Sequence, residues 1–401
     1  MTIKEFQSRL TEAAEEITAL NLSRVLLLHH NDTDGISAGI ILEHAFSRLD
    51  YSVSRYCLEK PYPQVVKKLL SDPTLTKDAL IVLTDFGSGM LSILENANKF
   101  KRPIYLLDHH TLEDKSGSEL FPVNGVSFGL SGVLECCAAS ISAQFAIYLD
   151  QRNSDLLKFG VLGAVGDSQI SDQGRLEGLN AVVLRLAEDN GDVRREGRDL
   201  YLHFGRWLEA KTLKNLVDAL GSVGYLRQGP DVAFKGLYEG FDERYETVAR
   251  GFLGEFEERR DLFLRAGKLN LCDQTVWFEL GEDFSEMGVK TVGLIAEAVS
   301  QIGKYTDNYV VGFQSIPEQI PGLGKVGPSE DKLSLRVGAA LFEEIRVGRK
   351  PPLPKILAKI SEQLNGFVDA GHPHAAAITL PPGKRREFID SFENYLENWF
   401  P

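Results

Sequence analysis

The chain has 401 residues, 43% of them hydrophobic and 25% charged, with a formal net charge of −13. That length exceeds one ordinary hydrophobic core and implies two or three domains, and the composition excludes a largely disordered chain. The acidic balance excludes a broad basic surface for sequence-independent grip on duplex nucleic acid, but a phosphate substrate held by metals and a few Arg or Lys stays compatible with it.

Residues 3–20 set Phe6, Leu10, Ala13, Ala14, Ile17 and Leu20 on one stripe, which predicts a helix with one buried face. This acidic, amphipathic start lacks the basic-then-apolar order of a secretory signal. No run approaches the roughly 18 uncharged apolar residues of a membrane span. Cys57, Cys136, Cys137 and Cys272 show no paired spacing and read as free thiols of a reducing compartment. A cytoplasmic protein without a membrane partner is expected.

Arg24–Leu28, Ala79–Leu83 and Pro103–Leu107 are unbroken apolar runs that read as buried strands, and Tyr51–Tyr56 reads as an alternating one. Helical patterns lie between them, including Gly35–Phe46. Strands alternating with helices indicate an α/β domain, a parallel sheet covered on both faces, in which a ligand sits beyond the carboxyl ends of the strands. Residues 131–190 look helical and complete a first domain, 1–190. Residues 191–265 are charged and mostly helical, broken at Gly221, Gly224, Gly229 and Pro230, and read as a helical connector. Strand patterns resume at Thr275–Leu280, Tyr309–Phe313 and Ser334–Val337. A Pro- and Gly-rich loop spans 316–328 and a helical tail spans about 384–399. These make a smaller α/β domain, 266–401.

Ionisable residues fall at telling places. His29-His30-Asn31-Asp32-Thr33-Asp34-Gly35 follows the first strand, Thr84-Asp85-Phe86-Gly87 the third and Asp108-His109-His110 the fourth. Gly166-Asp167 lies between later helices. An Asp after a strand is commonly a helix N-cap, and Asp-Gly is commonly a turn. Packing alone gives no reason to gather four such clusters in one domain, and crowded carboxylates repel unless a cation neutralises them. Mixed Asp oxygen and His nitrogen suits manganese best, with magnesium possible and iron or zinc also less favoured. Two such ions can activate water and hold phosphoryl oxygens.

HNDTDG, the Asp after a buried strand, LLDHH and the GD of AVGDS together resemble the four ordered motifs of the DHH phosphoesterase superfamily. Ala370-Gly371-His372-Pro373-His374-Ala375-Ala376-Ala377 is similar to the GGHxxAAG motif of the domain that accompanies DHH domains, with Ala370 and Ala377 where that motif has its first and last glycines. Ser334-Leu335-Arg336 resembles the Ser-x-Arg element before it. The resemblance implies an active site in the cleft between the domains. It implies one ion on His30, Asp32 and Asp85 and another on Asp34, Asp85, His109 and Asp167. Asp108 would orient the ligand imidazole, and His110 would reach the scissile phosphate. Ser334, Arg336, Gly371 and His372 would hold the far end of the substrate, with His374 structural.

The nearest resemblance, to RecJ-type exonucleases, implies a phosphodiesterase that trims single-stranded DNA or RNA or short oligonucleotides, with replication or repair proteins as possible partners. A cyclic-dinucleotide phosphodiesterase and a pyro- or polyphosphatase are alternatives, the latter disfavoured by GHPHAAA. A replication scaffold without catalysis is the alternative of another class, disfavoured because every ligand position is filled. Phe313, Tyr309 and Trp277 are possible base-stacking platforms, though core packing suits all three better.

Overall fold

The computed structural model describes residues 2–399 apart from 115, 116, 172 and 328, and the side chains of 369 and 370 also lie outside the described residues. The Ala370 departure noted above therefore falls outside them. The chain divides into two compact units, Met1–Phe252 and Leu253–Pro401.

In the first unit, helix α1 (Ile3–Ala19) opens with a capping box in which the Thr2 hydroxyl accepts the Glu5 N–H and the Glu5 carboxylate accepts the Thr2 N–H. Strands β1 (Arg24–His30), β2 (Ser52–Leu58), β3 (Ala79–Thr84), β4 (Ile104–Asp108) and β5 (Leu120–Asn124) form a parallel sheet in the order β2-β1-β3-β4-β5. The expected strands are all present. β5 escapes the sequence pattern because it carries Pro122, which an edge strand tolerates.

The helices are α2 (Thr33–Ser47), α3 (Pro63–Ser71), α4 (Pro73–Thr76), α5 (Leu91–Ala97), α6 (Ala138–Leu149), α7 (Leu157–Gly166) and α8 (Gly178–Asp189). On one face, Phe6, Leu10 and Ile17 of α1 pack with Val25, Leu27, Leu80, Val82 and Leu107 of the sheet and Ile141 and Phe145 of α6. α2, α6 and α7 are buried nearly all round, which explains their weakly amphipathic, Ala- and Gly-rich sequences.

The expected helical connector differs in its first part. Strands β6 (Val193–Glu196), β7 (Asp199–His203) and β8 (Trp207–Glu209) form an antiparallel meander. Its alternation is carried by Leu200 and Leu202, which are buried between more open neighbours, and the flanking Arg and Glu residues obscure it. Helices α9 (Ala210–Asp218), α10 (Gly229–Glu239) and α11 (Glu243–Arg265) follow, with a π-turn at Ala219–Val223. Leu213, Val217, Leu220, Ala233 and Leu237 share one core with Ile36, Ile40 and Val161. This segment up to residue 252 thus belongs to the body of the first unit.

In the second unit, β9 (Asn270–Leu271), β10 (Thr275–Leu280), β11 (Tyr309–Ser315), β14 (Asp331–Val337), β15 (Phe367–Gly371) and β16 (Ala375–Leu380) form a mixed sheet in the order β15-β16-β14-β11-β10-β9. Only the β10–β11 pair among the described ladders of this sheet is parallel. The expected loop 316–328 carries a small hairpin, β12 (Gln319–Ile320) with β13 (Gly324–Lys325). Helices α12 (Thr291–Ser300), α13 (Ala339–Arg346), α14 (Leu353–Leu364) and α15 (Arg385–Glu397) accompany the sheet. Tyr309, Phe313, Leu333, Leu335, Ile356, Ile360, Phe388 and Phe392 share its core, and Trp277 packs against it. Tyr309 and Phe313 are therefore core residues rather than open platforms.

Candidate metal centre

The parallel register levels the ends of three neighbouring strands: His29 of β1 lies opposite Thr84 of β3, and Thr84 lies opposite Leu107 of β4. The next residues of each strand therefore emerge together, which brings His30, Asp85 and the Asp108–His110 run to one edge. α2 starts immediately on β1. A Cβ at Gly35 would lie 2.5 Å from the His30 Cβ, so only glycine permits this junction. Asp85 stands at φ +64°, a left-handed conformation that non-glycine residues seldom adopt and that concentrates at functional sites.

Asp32 serves two ends. One carboxylate oxygen accepts the Gly35 N–H at 3.1 Å and caps α2, while the other lies 2.9 Å from His30 Nδ1. The same carboxylate thus caps α2 and faces the His30 imidazole. Asp34 is buried, and its oxygens accept the N–H groups of Ala138 and Ala139 at 2.8 and 2.9 Å. These are the first amides of α6, where the helix dipole favours a negative charge.

Two groups form around one carboxylate. Asp85 Oδ2 lies 3.2 Å from His30 Nδ1, and Asp85 Oδ1 lies 3.3 Å from His109 Nε2. On the second side His109 Nε2 is also 3.8 Å from Asp34 Oδ2 and 3.7 Å from Asp167 Oδ2. The ligand atoms of His30, Asp32 and Asp85 lie within 4.8 Å of one another, as do those of Asp34, His109 and Asp167. Burial, then Asp85 and Asp167, raise the Asp34 carboxyl well above its usual range. Burial pushes Asp167 up to about 6, with His109 opposing and Asp85 adding to it. Burial disfavours the His109 imidazolium, yet Asp85, Asp167 and Asp34 raise its pKa well above the ordinary value. The site holds more negative charge than its own groups neutralise, and its oxygen and imidazole donors fit divalent cations of the manganese and magnesium kind.

Asp108 departs from the expected role of orienting a ligand imidazole. Burial would raise its carboxyl, but His110, His109 and the Ser88 N–H hold it well below the usual range. One oxygen lies 2.8 Å from His110 Nδ1 and also accepts the His109 N–H, while the other accepts the Ser88 N–H at 3.0 Å. It thus orients His110. His109 Nδ1 instead meets the Gly132 carbonyl at 2.7 Å, which leaves Nε2 toward the carboxylates.

Gln169, two residues beyond Asp167, carries no signal in the sequence. It is fully buried, and its amide donates to Asp167 Oδ2 at 2.6 Å and to the Cys136 carbonyl at 3.0 Å. Asn180 fixes its other end at 2.7 Å. His29, the neighbour of a candidate ligand, is fully buried against Arg55, and its pKa is pushed down to about 3 by burial and that guanidinium. It is a neutral structural histidine.

In the second unit Ser334 and Arg336 are brought beside the tail motif: Ser334 lies opposite Ala377 and Arg336 opposite Ala375 on the neighbouring strand. A Cβ at Gly293 of α12 would lie 3.3 Å from the Ser334 hydroxyl and 3.4 Å from Arg336 Nη2. Arg336 Nε donates to Glu297 at 2.9 Å and Nη1 to the Leu335 carbonyl at 2.8 Å. Gly371 and His372 are exposed at the β15–β16 turn, and the His372 N–H donates to the Ala375 carbonyl at 2.8 Å.

Residues 24–163 match the model of the DHH family, N-terminal domain. An uncharacterised protein of Methanocaldococcus jannaschii is 27% identical over 194 residues, 47% of this chain and 42% of that protein, so the match spans less than half the relative's length. A solved DHH-domain structure, described as a member of a family of ribosomal proteins, is similar at a TM-score of 0.66, with 16% identity, over 99% of this chain and 92% of that one. RecJ from Thermus thermophilus, in complex with Mn2+, is similar at a TM-score of 0.66, with 14% identity, over 98% of this chain and 55% of that one. The two structural likenesses are likenesses of fold. Residues 24–163, which hold the first three of the ordered motifs, carry the likeness to the DHH N-terminal domain.

Proposed function

We propose that the protein is a divalent-metal-dependent phosphodiesterase that shortens single-stranded nucleic acid or short oligonucleotides. The observation that carries this reading is Asp85, whose two oxygens face separate His- and Asp-lined groups at 3.2 and 3.3 Å. His30, Asp32 and Asp85 would hold one ion, and Asp34, Asp85, His109 and Asp167 the other. Bound there, the ions would supply water activation and neutralise phosphoryl charge.

The chain's own residues do the rest. Asp108 fixes the exposed His110 in orientation and favours its imidazolium, a donor suited to a phosphate oxygen. Gln169 and the α6 amides hold Asp167 and Asp34 in place before any ion arrives. In the second unit, Ser334, Arg336, Gly371 and His372 would grip a phosphate away from the bond being cut. Manganese is the proposed ion, with magnesium second, following the mixed oxygen and nitrogen donors. RecJ of similar fold was solved with Mn2+, which supports the same choice.

The test is a substrate panel with Mn2+: single-stranded DNA and RNA labelled at either end, dinucleotides, cyclic dinucleotides and polyphosphate. Release of mononucleotides from single strands is the expected result. Turnover of only cyclic dinucleotides or polyphosphate would replace the substrate assignment, and full activity after exhaustive chelation would remove the metals.

A further inference from the structure

The candidate ligands at the β1–α2 junction are spaced two apart: His30, Asp32 and Asp34. The residues between them are tied to the segment 210–223. Asn31 Nδ2 donates to the Gly221 carbonyl at 2.8 Å. The Thr33 N–H and hydroxyl donate to Asp218 Oδ1 at 3.0 and 2.7 Å, and the Lys214 carbonyl lies 3.2 Å from that hydroxyl. Lys214 Nζ holds the other Asp218 oxygen at 2.9 Å. Asn31 and Thr33 are fully buried.

The approach is as close as backbone allows. A Cβ at Gly221 would fall 1.8 Å from the Asn31 carbonyl oxygen. Gly221 lies in the π-turn 219–223, an irregularity that costs ladder geometry and recurs at functional sites. Asn31 and Thr33 flank Asp32 at the junction where β1 passes into α2, so clamping both fixes the backbone that carries His30, Asp32 and Asp34.

We infer that Asp218 and the π-turn 219–223 are positioning elements of the metal centre, which set the β1–α2 junction that carries His30, Asp32 and Asp34. This rests on the metal-centre reading above. It gives the segment between the DHH domain and the second unit a role in ion binding that its sequence does not suggest. Partners that orient ligands in this way are typically worth about 10- to 100-fold in metal affinity.

Titration calorimetry with Mn2+ on the full chain separates the possibilities, with the melting temperature of the metal-free protein recorded alongside. Asp218→Ala should bind Mn2+ at least about tenfold more weakly. Asp218→Asn, which keeps an oxygen acceptor for both Thr33 donors, should stay near the parent protein. Raising Mn2+ should restore most of the kcat of Asp218→Ala. A role confined to stability would lower the melting temperature of Asp218→Ala and leave Mn2+ affinity unchanged, and that result overturns the inference. Should Asp218→Ala not fold, Thr33→Val decides: loss of one hydroxyl donor should weaken Mn2+ binding about threefold or more, and unchanged affinity overturns the inference. If the parent protein binds no Mn2+, the metal-centre reading itself falls.

Discussion

A single carboxylate, Asp85, joins the two halves of the candidate centre. Its left-handed backbone and its position between two imidazoles, at 3.2 and 3.3 Å, make sense together if the strand end is bent to aim both oxygens outward. Asp85→Ala should therefore abolish turnover with the fold kept, as judged by circular dichroism. Retention of more than about a tenth of the activity, a barrier change under about 1.4 kcal/mol, would remove Asp85 from the centre. Gln169 gives a second test at this scale. Gln169→Leu keeps the volume but releases Asp167, and Mn2+ affinity should fall about tenfold, whereas an unchanged calorimetric affinity would make Gln169 a packing residue only. The candidate ligands are readable in the sequence because they gather at or within four residues of the end of an apolar strand or helix. Gln169 is not, because an amide donor has no motif of its own and its partners come from 2, 33, 37, 11 and 60 residues away.

At the scale of elements, α2 shows how the centre is tied to the rest of its unit. Its first turn holds Asp34, and its last turn holds His44, whose ring stacks on Tyr238 of α10 at 4.1 Å. Burial, then Arg48, lower the His44 pKa, with Asp155 opposing. The folded state thus binds its proton less readily than the unfolded chain, whose histidine titrates near 6.5. The neutral ring's contribution is fully present above that pH and is lost as pH falls toward the lower folded pKa. His44→Phe keeps the stack without the titration. The melting temperature of the parent should therefore drop more steeply than that of the variant as pH is lowered below about 6.5, and parallel curves would show that His44 does not report on this packing. The same element marks what sequence pattern can reach. β1, β3 and β4 announce themselves as unbroken apolar runs, since a sheet covered on both faces needs them. β5, with its proline, and the charged meander 193–209 do not. The clamp on Thr33 comes from Asp218, 185 residues away, and no local periodicity encodes such a pairing.

For the whole molecule, the question is whether one substrate engages both units. The candidate metal centre belongs to Met1–Phe252, and Ser334 and Arg336 belong to Leu253–Pro401. Arg336 has its Nε committed to Glu297 and its Nη1 to a carbonyl, while Nη2 and the Ser334 hydroxyl flank the bare Cα of Gly293. A phosphate gripped there would gain a charge-assisted contact of about 1.5–3 kcal/mol. Arg336→Ala should then cost roughly ten- to hundredfold in kcat/KM on oligonucleotides, at 1.4 kcal/mol per decade. A small activated diester too short to engage the second unit should be cut about as well as before. His109→Ala should abolish both reactions, because both depend on the Asp34–His109–Asp167 group. The contrast matters more than either loss alone: a residue serving only the fold of the second unit would spare both substrates or weaken both alike. Equal impairment of long and small substrates by Arg336→Ala, with the fold intact, would separate the second unit from substrate holding and leave the chemistry to the first unit alone.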